Sequence, residues 1–157
     1  MYAVDTDSSS SSYGKLTVME GVDEDNNFCD HDDYVRAVKF SELAEPTLFA
    51  SAGDDEIVHV KEVRPAGAER MSTRAAIELL PKGGVRLSGE GCGWIMSLAF
   101  VRRDRYIVTG SRDGKVCLFG VGKALPVKPL KTFDIGEYEI NSMAYCPLTM
   151  TLAMTSG

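Results

Sequence analysis

Short runs in which apolar and polar residues alternate make up most of this chain. They begin near Lys15 and are separated by glycine, asparagine, aspartate and serine. A period of two is typical of β-strands with one buried face, and turn residues at regular intervals are typical of hairpins. No long run has the period of an amphipathic helix. The pattern therefore predicts an all-β fold built from many short antiparallel strands.

Two segments depart from this pattern. Residues 1–14 contain the serine run Ser8–Ser12 and few apolar residues, so they are predicted to be a disordered, serine-rich tail. The segment STRAAIELLP, which begins at Ser72, has the propensity of a short helix, but its place in the repeat described next favours a strand. The remaining residues, 15–157, have the length of one domain.

Part of the sequence is repeated. LFASAGDDEIVHVKEV and, further along, IVTGSRDGKVCLFGV each place a small hydroxyl residue, three other residues and then an aspartate before an apolar run. The two hydroxyl residues are Ser51 and Thr109, and the two aspartates are Asp55 and Asp113. A third copy begins near the C-terminus, where Thr155 takes the place of Thr109. A repeat of this kind, with four strands in each copy, is typical of the blades of a β-propeller.

The repeat resembles the WD40 family over nearly all of the chain outside the tail. In that family a histidine precedes the first core strand of a blade, a serine or threonine lies in the next strand, an aspartate occupies the tight turn and a tryptophan ends the third strand. The first copy supplies His31, Ser51 and Asp55, with Lys61 in the tryptophan position. The resemblance implies that the histidine joins the serine hydroxyl to the aspartate in a structural hydrogen-bond network.

The second and third copies keep only part of this pattern. The second supplies Thr109 and Asp113, with Phe119 in the tryptophan position and Gly91 in the histidine position. Its turn, RDGK, has the Asp-Gly pair that favours a tight hairpin. The third copy has Gly136 in the histidine position and ends before an aspartate. We expect the same structural role for the residues that are present.

These repeats are too few to close a ring. Propellers close with about four to eight blades, whereas we expect blades at about 15–63 and 75–121 and a truncated one at 128–157. An incomplete ring leaves edge strands unpaired. The sequence therefore indicates a fragment of a longer protein, and the alternative is a blade that a partner chain completes.

The sequence predicts no cofactor and no metal site. The acidic loop Asp23–Asn27 is spaced like a calcium loop, but Phe28 and Tyr34 stand where glycine and glutamate are needed. The glycine-rich GGVRLSGEGCG lacks the lysine of a P-loop. The four cysteines have no CxxC spacing, which argues against structural zinc and favours reduced thiols. A metal or acid–base role for His31, beside two aspartates, is the alternative to its structural role.

Two features are candidate contacts with a partner. Trp94, the single tryptophan, precedes an inner strand, and the family resemblance implies a position near the rim where partners dock. It is either an interaction anchor or packing between blades. Arg102, Arg103 and Arg105, in VRRDRY, form a small basic cluster. This cluster suits an acidic partner or a phosphate, and the alternative is a solvated turn.

Charge and length limit the class of function. The net charge of −6 argues against a binder of duplex nucleic acid, and no apolar run is long enough to span a bilayer. The N-terminus also lacks the features of a secretory signal. We expect a non-catalytic scaffold that mediates protein–protein interaction in a multi-subunit complex of the cytoplasm or nucleus. The alternative is a propeller subunit of an RNA or ribonucleoprotein assembly, ribosome-associated or similar to mRNA-export propellers, with the arginines as its contact.

Overall fold

Antiparallel strands, without any helix, make up the part of the chain that the structure describes. The computed structural model describes residues 2–4, 16–18, 31–43, 47–65, 77–86, 93–121 and 129–157. Strands β1 (Tyr2–Val4) and β2 (Leu16–Val18) pair with each other in a two-stranded sheet. Within the described ranges there is accordingly no helix able to cross a membrane.

The first large sheet contains four antiparallel strands in chain order. They are β3 (Val35–Phe40), β4 (Thr47–Gly53), β5 (Ile57–Pro65) and β6 (Ile77–Arg86). β4 is an inner strand, and all its residues after the first are buried, so apolar and small residues occupy both of its faces. This burial explains why its sequence, TLFASAG, contains no charge.

The second large sheet repeats this arrangement. Its strands are β7 (Ile95–Val101), β8 (Tyr106–Ser111), β9 (Lys115–Gly120) and β10 (Lys131–Asp134). The third sheet has two strands, β11 (Ile140–Cys146) and β12 (Thr151–Ser156). β10 and β12 are mostly exposed, whereas β7 and β8 are mostly buried. The inner strands therefore carry the core.

Two apolar clusters hold the three sheets together. The first lies between the first and second sheets and includes Val60, Leu98 and Ile107. The second lies between the second and third sheets and includes Ile140 and Met143. The sheets consequently stack in the order of the chain, each against its neighbour.

The all-β prediction is confirmed, and the four-stranded antiparallel sheets have the arrangement of propeller blades. Their boundaries differ from the blades expected from the sequence. β6 begins inside the predicted second blade, 75–121, yet it pairs with β5 of the first sheet. β10 begins inside the predicted third blade, 128–157, yet it pairs with β9 of the second sheet. The repeat in the sequence is thus offset from the sheet by one outer strand, because that strand follows a long connection before it pairs.

The N-terminal residues also depart from the sequence prediction. Tyr2–Val4 was expected to belong to a disordered tail, 1–14, and that prediction is wrong at these three residues because they pair with β2. Tyrosine and valine favour extended backbone, and the serine run that follows masks this preference in the composition. Ser8–Ser12 lies outside the described residues.

Candidate functional site

The structure brings the three network residues of the first repeat together. His31 precedes β3, Ser51 lies in β4, and Asp55 lies in the turn between β4 and β5. His31 Nδ1 lies 2.8 Å from Asp55 Oδ2, and His31 Nε2 lies 2.8 Å from the Ser51 hydroxyl. The backbone N–H of Ile57 also donates to the Asp55 carboxylate at 3.1 Å. The network therefore fastens the hairpin turn to the residues that enter the sheet.

The same three residues have the order of a hydrolase triad, Ser–His–Asp. Chemistry of that kind needs a nucleophile that a substrate can reach. Ser51 is only 6 % exposed and lies in an inner strand between β3 and β5. A substrate would have to open the sheet to reach this hydroxyl, and the structural role expected for the three residues stays a prediction.

A histidine pair adjoins this network. The rings of His31 and His59 meet edge to face with centroids 4.6 Å apart. Ligand atoms of His31, Asp55 and His59 lie within 4.8 Å of one another. Both ring nitrogens of His31 already take part in hydrogen bonds, so a metal ion would have to displace Asp55 or Ser51 to bind there.

The second repeat uses a different set of contacts around its aspartate. The Ser111 hydroxyl donates to Asp113 Oδ1, and Lys115 Nζ lies 2.8 Å from Asp113 Oδ2. Thr109 is buried in β8, and the hydroxyl that contacts Asp113 is that of Ser111 instead. Burial raises the pKa of the Asp113 carboxyl, but hydrogen bonds from Lys115, Ser111 and the Gly93 backbone outweigh it, so the pKa is lowered overall. Backbone and neighbouring side chains thus replace the missing histidine.

The remaining repeat positions are apolar or exposed. Phe119 is 2 % exposed in the first apolar cluster, which gives it a packing role. Gly136 donates its backbone N–H to Asp134, and Thr155 is exposed in β12. Gly91, expected in the histidine position of the second repeat, lies outside the described residues.

Trp94 forms the centre of an exposed surface that links all three sheets. Its side chain is 38 % exposed. The guanidinium carbon of Arg112 lies 4.5 Å from the ring centroid, and that of Arg36 lies 5.6 Å from it. Arg36 belongs to β3 of the first sheet, and Arg112 lies in the β8–β9 turn of the second. We call Tyr34, Arg36, Trp94, Arg112 and Glu139 the Trp94 rim.

Carboxylates hold both guanidinium groups of the Trp94 rim in place. Arg36 donates to both oxygens of Asp54, at 2.8 and 2.5 Å. The hydrogen bond with Asp54 raises the pKa of Arg36, although desolvation opposes it. Arg112 donates to Glu139, just before the third sheet, at 2.8 Å. Trp94 is therefore partly exposed and contacts arginines of two sheets, and its role as an interaction anchor stays a prediction.

The three arginines of the basic cluster lie in the β7–β8 turn, at the opposite end of β7 from Trp94. Between them, Asp104 is 7 % exposed and accepts backbone N–H groups of Glu42 at 3.0 Å and Leu43 at 2.7 Å. Arg102, Arg103 and Asp104 have positive φ angles of 53°, 54° and 57°. Left-handed backbone costs about 1–2 kcal/mol for each non-glycine residue. The anchored carboxylate holds the turn in this shape, and all three arginines remain exposed.

The sequence alone did not identify the residues that face this turn. Pro147, Leu148 and Met150, from the β11–β12 turn, lie with the arginines around one groove. The available signal was the apolar sequence CPLTM, at a place where a hairpin turn is normally polar. Cys146, the first residue of this segment, is exposed, and hydrogen bonds from Thr149 lower the pKa of its thiol.

Comparison with known proteins finds one match to a family model, mostly in the second sheet. Residues 84–119 match the model described as WD domain, G-beta repeat. The fold is similar to Sqt1 of Saccharomyces cerevisiae, with 19 % sequence identity and a TM-score of 0.49. The similarity covers 83 % of this chain and 37 % of the Sqt1 chain. The search of curated proteins finds no match.

Proposed function

We propose that this chain, which carries a WD40 repeat and folds into blades of that β-propeller family, is a non-catalytic scaffold that binds another protein at the Trp94 rim. WD40 repeats generally serve as protein-interaction scaffolds. The proposal includes that this protein works within a larger complex of several subunits, in the cytoplasm or nucleus.

The observation that carries the proposal is the position of Trp94. A partly exposed tryptophan with two guanidinium groups against its ring has little side-chain entropy to lose when a partner covers it. Tryptophan, tyrosine and arginine are the residues that most often dominate the energy of protein interfaces. Tyr34, 73 % exposed, and Tyr138, 68 % exposed, extend the same chemistry beyond Trp94.

A comparison of captured proteins across variants tests this proposal. The wild-type chain, Trp94→Ala, Trp94→Phe and Leu148→Ser are immobilised and exposed to the same cell extract, and bound proteins are quantified by mass spectrometry. Leu148 is 94 % exposed and lies in the β11–β12 turn, so its variant reports on contacts at a second surface. We expect Trp94→Ala to weaken binding of at least one protein about tenfold or more. Trp94→Phe should weaken it less.

The result is informative only if each variant remains folded, which circular dichroism and a thermal melt establish. Proteins that bind Trp94→Ala and the wild-type chain equally well would refute a docking role for the Trp94 rim. Loss with Leu148→Ser instead would place the contact at the other end of the sheets.

The alternative function, in an RNA or ribonucleoprotein assembly, would use Arg102, Arg103 and Arg105. Their exposure favours contact with an anionic partner. The RNA comparison described in the next subsection tests this alternative with the same variants.

A further inference from the structure

A groove separates the β7–β8 turn of the second sheet from the β11–β12 turn of the third. It has a volume of about 730 Å³. Arginines of the β7–β8 turn form one wall and apolar residues of the β11–β12 turn form the other: Arg102, Arg103, Arg105, Pro147, Leu148 and Met150. We call this the arginine groove. It lies at the far end of β7 from Trp94, roughly 20 Å away for a strand of this length.

The arginine wall carries positive charge that no described carboxylate neutralises by an ion pair. Arg102, Arg103 and Arg105 are exposed, and none of them forms a salt bridge within the described ranges. Asp104 is directed into the protein, where backbone amides of the first sheet hold both of its oxygens. Glu42 is the nearby exposed carboxylate on that side. On a chain with a net charge of −6, this is a local positive patch.

The opposite wall exposes apolar surface. Leu148 is 94 % exposed and Met150 is 68 % exposed. Met150 has a φ of 53°, a left-handed conformation that methionine rarely adopts. A partner that covers these side chains removes apolar surface from water, which favours association, so this wall favours an apolar occupant.

We propose that the arginine groove binds an extended acidic segment of a partner protein that also carries an apolar side chain. Its carboxylates would pair with the guanidinium groups, and its apolar side chain would cover Leu148 and Met150. The positive charge of the guanidinium groups requires a partner with negative charge. Carboxylates suit this wall because they can form bidentate, directional hydrogen bonds with arginine. The apolar wall favours a peptide over RNA, whose phosphates would leave Leu148 exposed. The inference rests on the proposed scaffold function but uses a second surface.

Selection from a random twelve-residue peptide library displayed on phage tests the inference. The library is selected on the full 157-residue chain after depletion on the double variant Arg102→Glu/Arg105→Glu. We expect enriched peptides to combine aspartate or glutamate with leucine, isoleucine, methionine or phenylalanine. Peptides without acidic residues, or no enrichment over the depleted pool, would overturn the proposal.

Affinity measurements on the enriched peptides then separate the two walls. By fluorescence anisotropy, the double variant should bind at least tenfold more weakly, and Leu148→Ser roughly threefold or more. Trp94→Ala is the matched control and should bind the peptides as the wild-type chain does. Equal affinity for the wild-type chain and the double variant would overturn the groove as the binding site.

A labelled oligouridylate of twelve nucleotides distinguishes RNA from peptide. Tighter binding of the RNA than of the enriched peptides, lost in the double variant and unchanged by Leu148→Ser, would overturn the proposal in favour of RNA. If Trp94→Ala weakened the binding of no captured protein, the peptide affinities expected for the arginine groove would be unchanged. The proposed function and this inference can therefore fail separately.

Discussion

At the scale of single residues, the two β-hairpin turns place different residues at one left-handed position. Glu56 has a φ of 63° in the first turn, and Gly114 has a φ of 76° in the second. Glycine tolerates this conformation, whereas other residues lose about 1–2 kcal/mol. A Cβ at Gly114 would also lie 1.8 Å from the carbonyl oxygen of Gly136. The same structural position should therefore respond in opposite directions to substitution.

We expect Glu56→Gly to raise the free energy of unfolding by about 0.5–1 kcal/mol, because it removes the strain of the left-handed backbone. Gly114→Ala should lower it by more than about 2 kcal/mol, because the clash with Gly136 adds to the strain. Urea denaturation of the two variants and the wild-type chain measures both changes. Equal destabilisation by the two substitutions would contradict the assigned turn geometry.

Asp113 gives the second repeat a dependence on pH. The lowered pKa of its carboxyl means that the folded state binds the proton less tightly than the unfolded state. The resulting stability is fully present above the unfolded pKa of about 3.9 and is lost as pH falls through the folded value. Asp113→Asn should therefore be less stable than the wild-type chain at pH 7, and the difference should shrink as pH falls below about 4.

Urea denaturation over this pH range measures the difference, with Glu137→Gln as the control. Glu137 is exposed, and no ion pair in the described ranges includes it. If the difference in the free energy of unfolding between Asp113→Asn and the wild-type chain stayed constant with pH, the asparagine would destabilise the turn for steric reasons instead.

At the scale of elements, strand positions follow from the sequence, whereas sheet membership does not. Alternation is a local property, so it locates inner strands such as β4 and β8 within a residue or two of their ends. β6 pairs with β5 after a connection of more than ten residues, and no pattern in the sequence of that connection predicts the pairing. Gly83 and Gly84, which begin the glycine-rich segment GGVRLSGEGCG, lie inside β6 and pair with β5.

The contact between the second and third sheets depends on a residue with no side chain. A Cβ at Gly110, in β8, would lie 2.4 Å from Ile140 Cγ2 and 2.6 Å from Met143 Cε. Gly110→Ala should push β11 away and lower the free energy of unfolding by about 1–3 kcal/mol. Gly120→Ala is the matched control, since the nearest atom to its Cβ, Leu130 Cδ1, would be 3.5 Å away. Chemical denaturation of both variants tests the prediction.

At the scale of the whole molecule, the two candidate surfaces differ in what the sequence reveals. Trp94 and the arginines were identified from local sequence, because Trp94 is the single tryptophan and the arginines cluster in VRRDRY. The contacts of the Trp94 ring with Arg36 and Arg112, and the apolar wall at Leu148, join residues of different sheets. Such contacts depend on how the sheets pack, which no local pattern specifies.

Packing of each sheet against its neighbour also predicts how stability is distributed. In repeat proteins of this kind, stability is a sum of local and nearest-neighbour terms. Met143, 5 % exposed, joins the second and third sheets, whereas Val60, 1 % exposed, joins the first and second. We expect Met143→Ala to cost about 2–5 kcal/mol and to speed amide hydrogen exchange in β11 and β12 with little effect on β4.

Val60→Ala is the reciprocal test, because it removes packing from the first apolar cluster only. Exchange should increase in β4 and β5 and stay unchanged in β11 and β12, since the second sheet separates the two sites. Hydrogen exchange followed by mass spectrometry resolves these segments. If both variants instead accelerated exchange in all three sheets equally, the described blades would unfold as one cooperative unit. In that case the Trp94 rim and the arginine groove would share their stability, and a partner bound at one would stabilise the other.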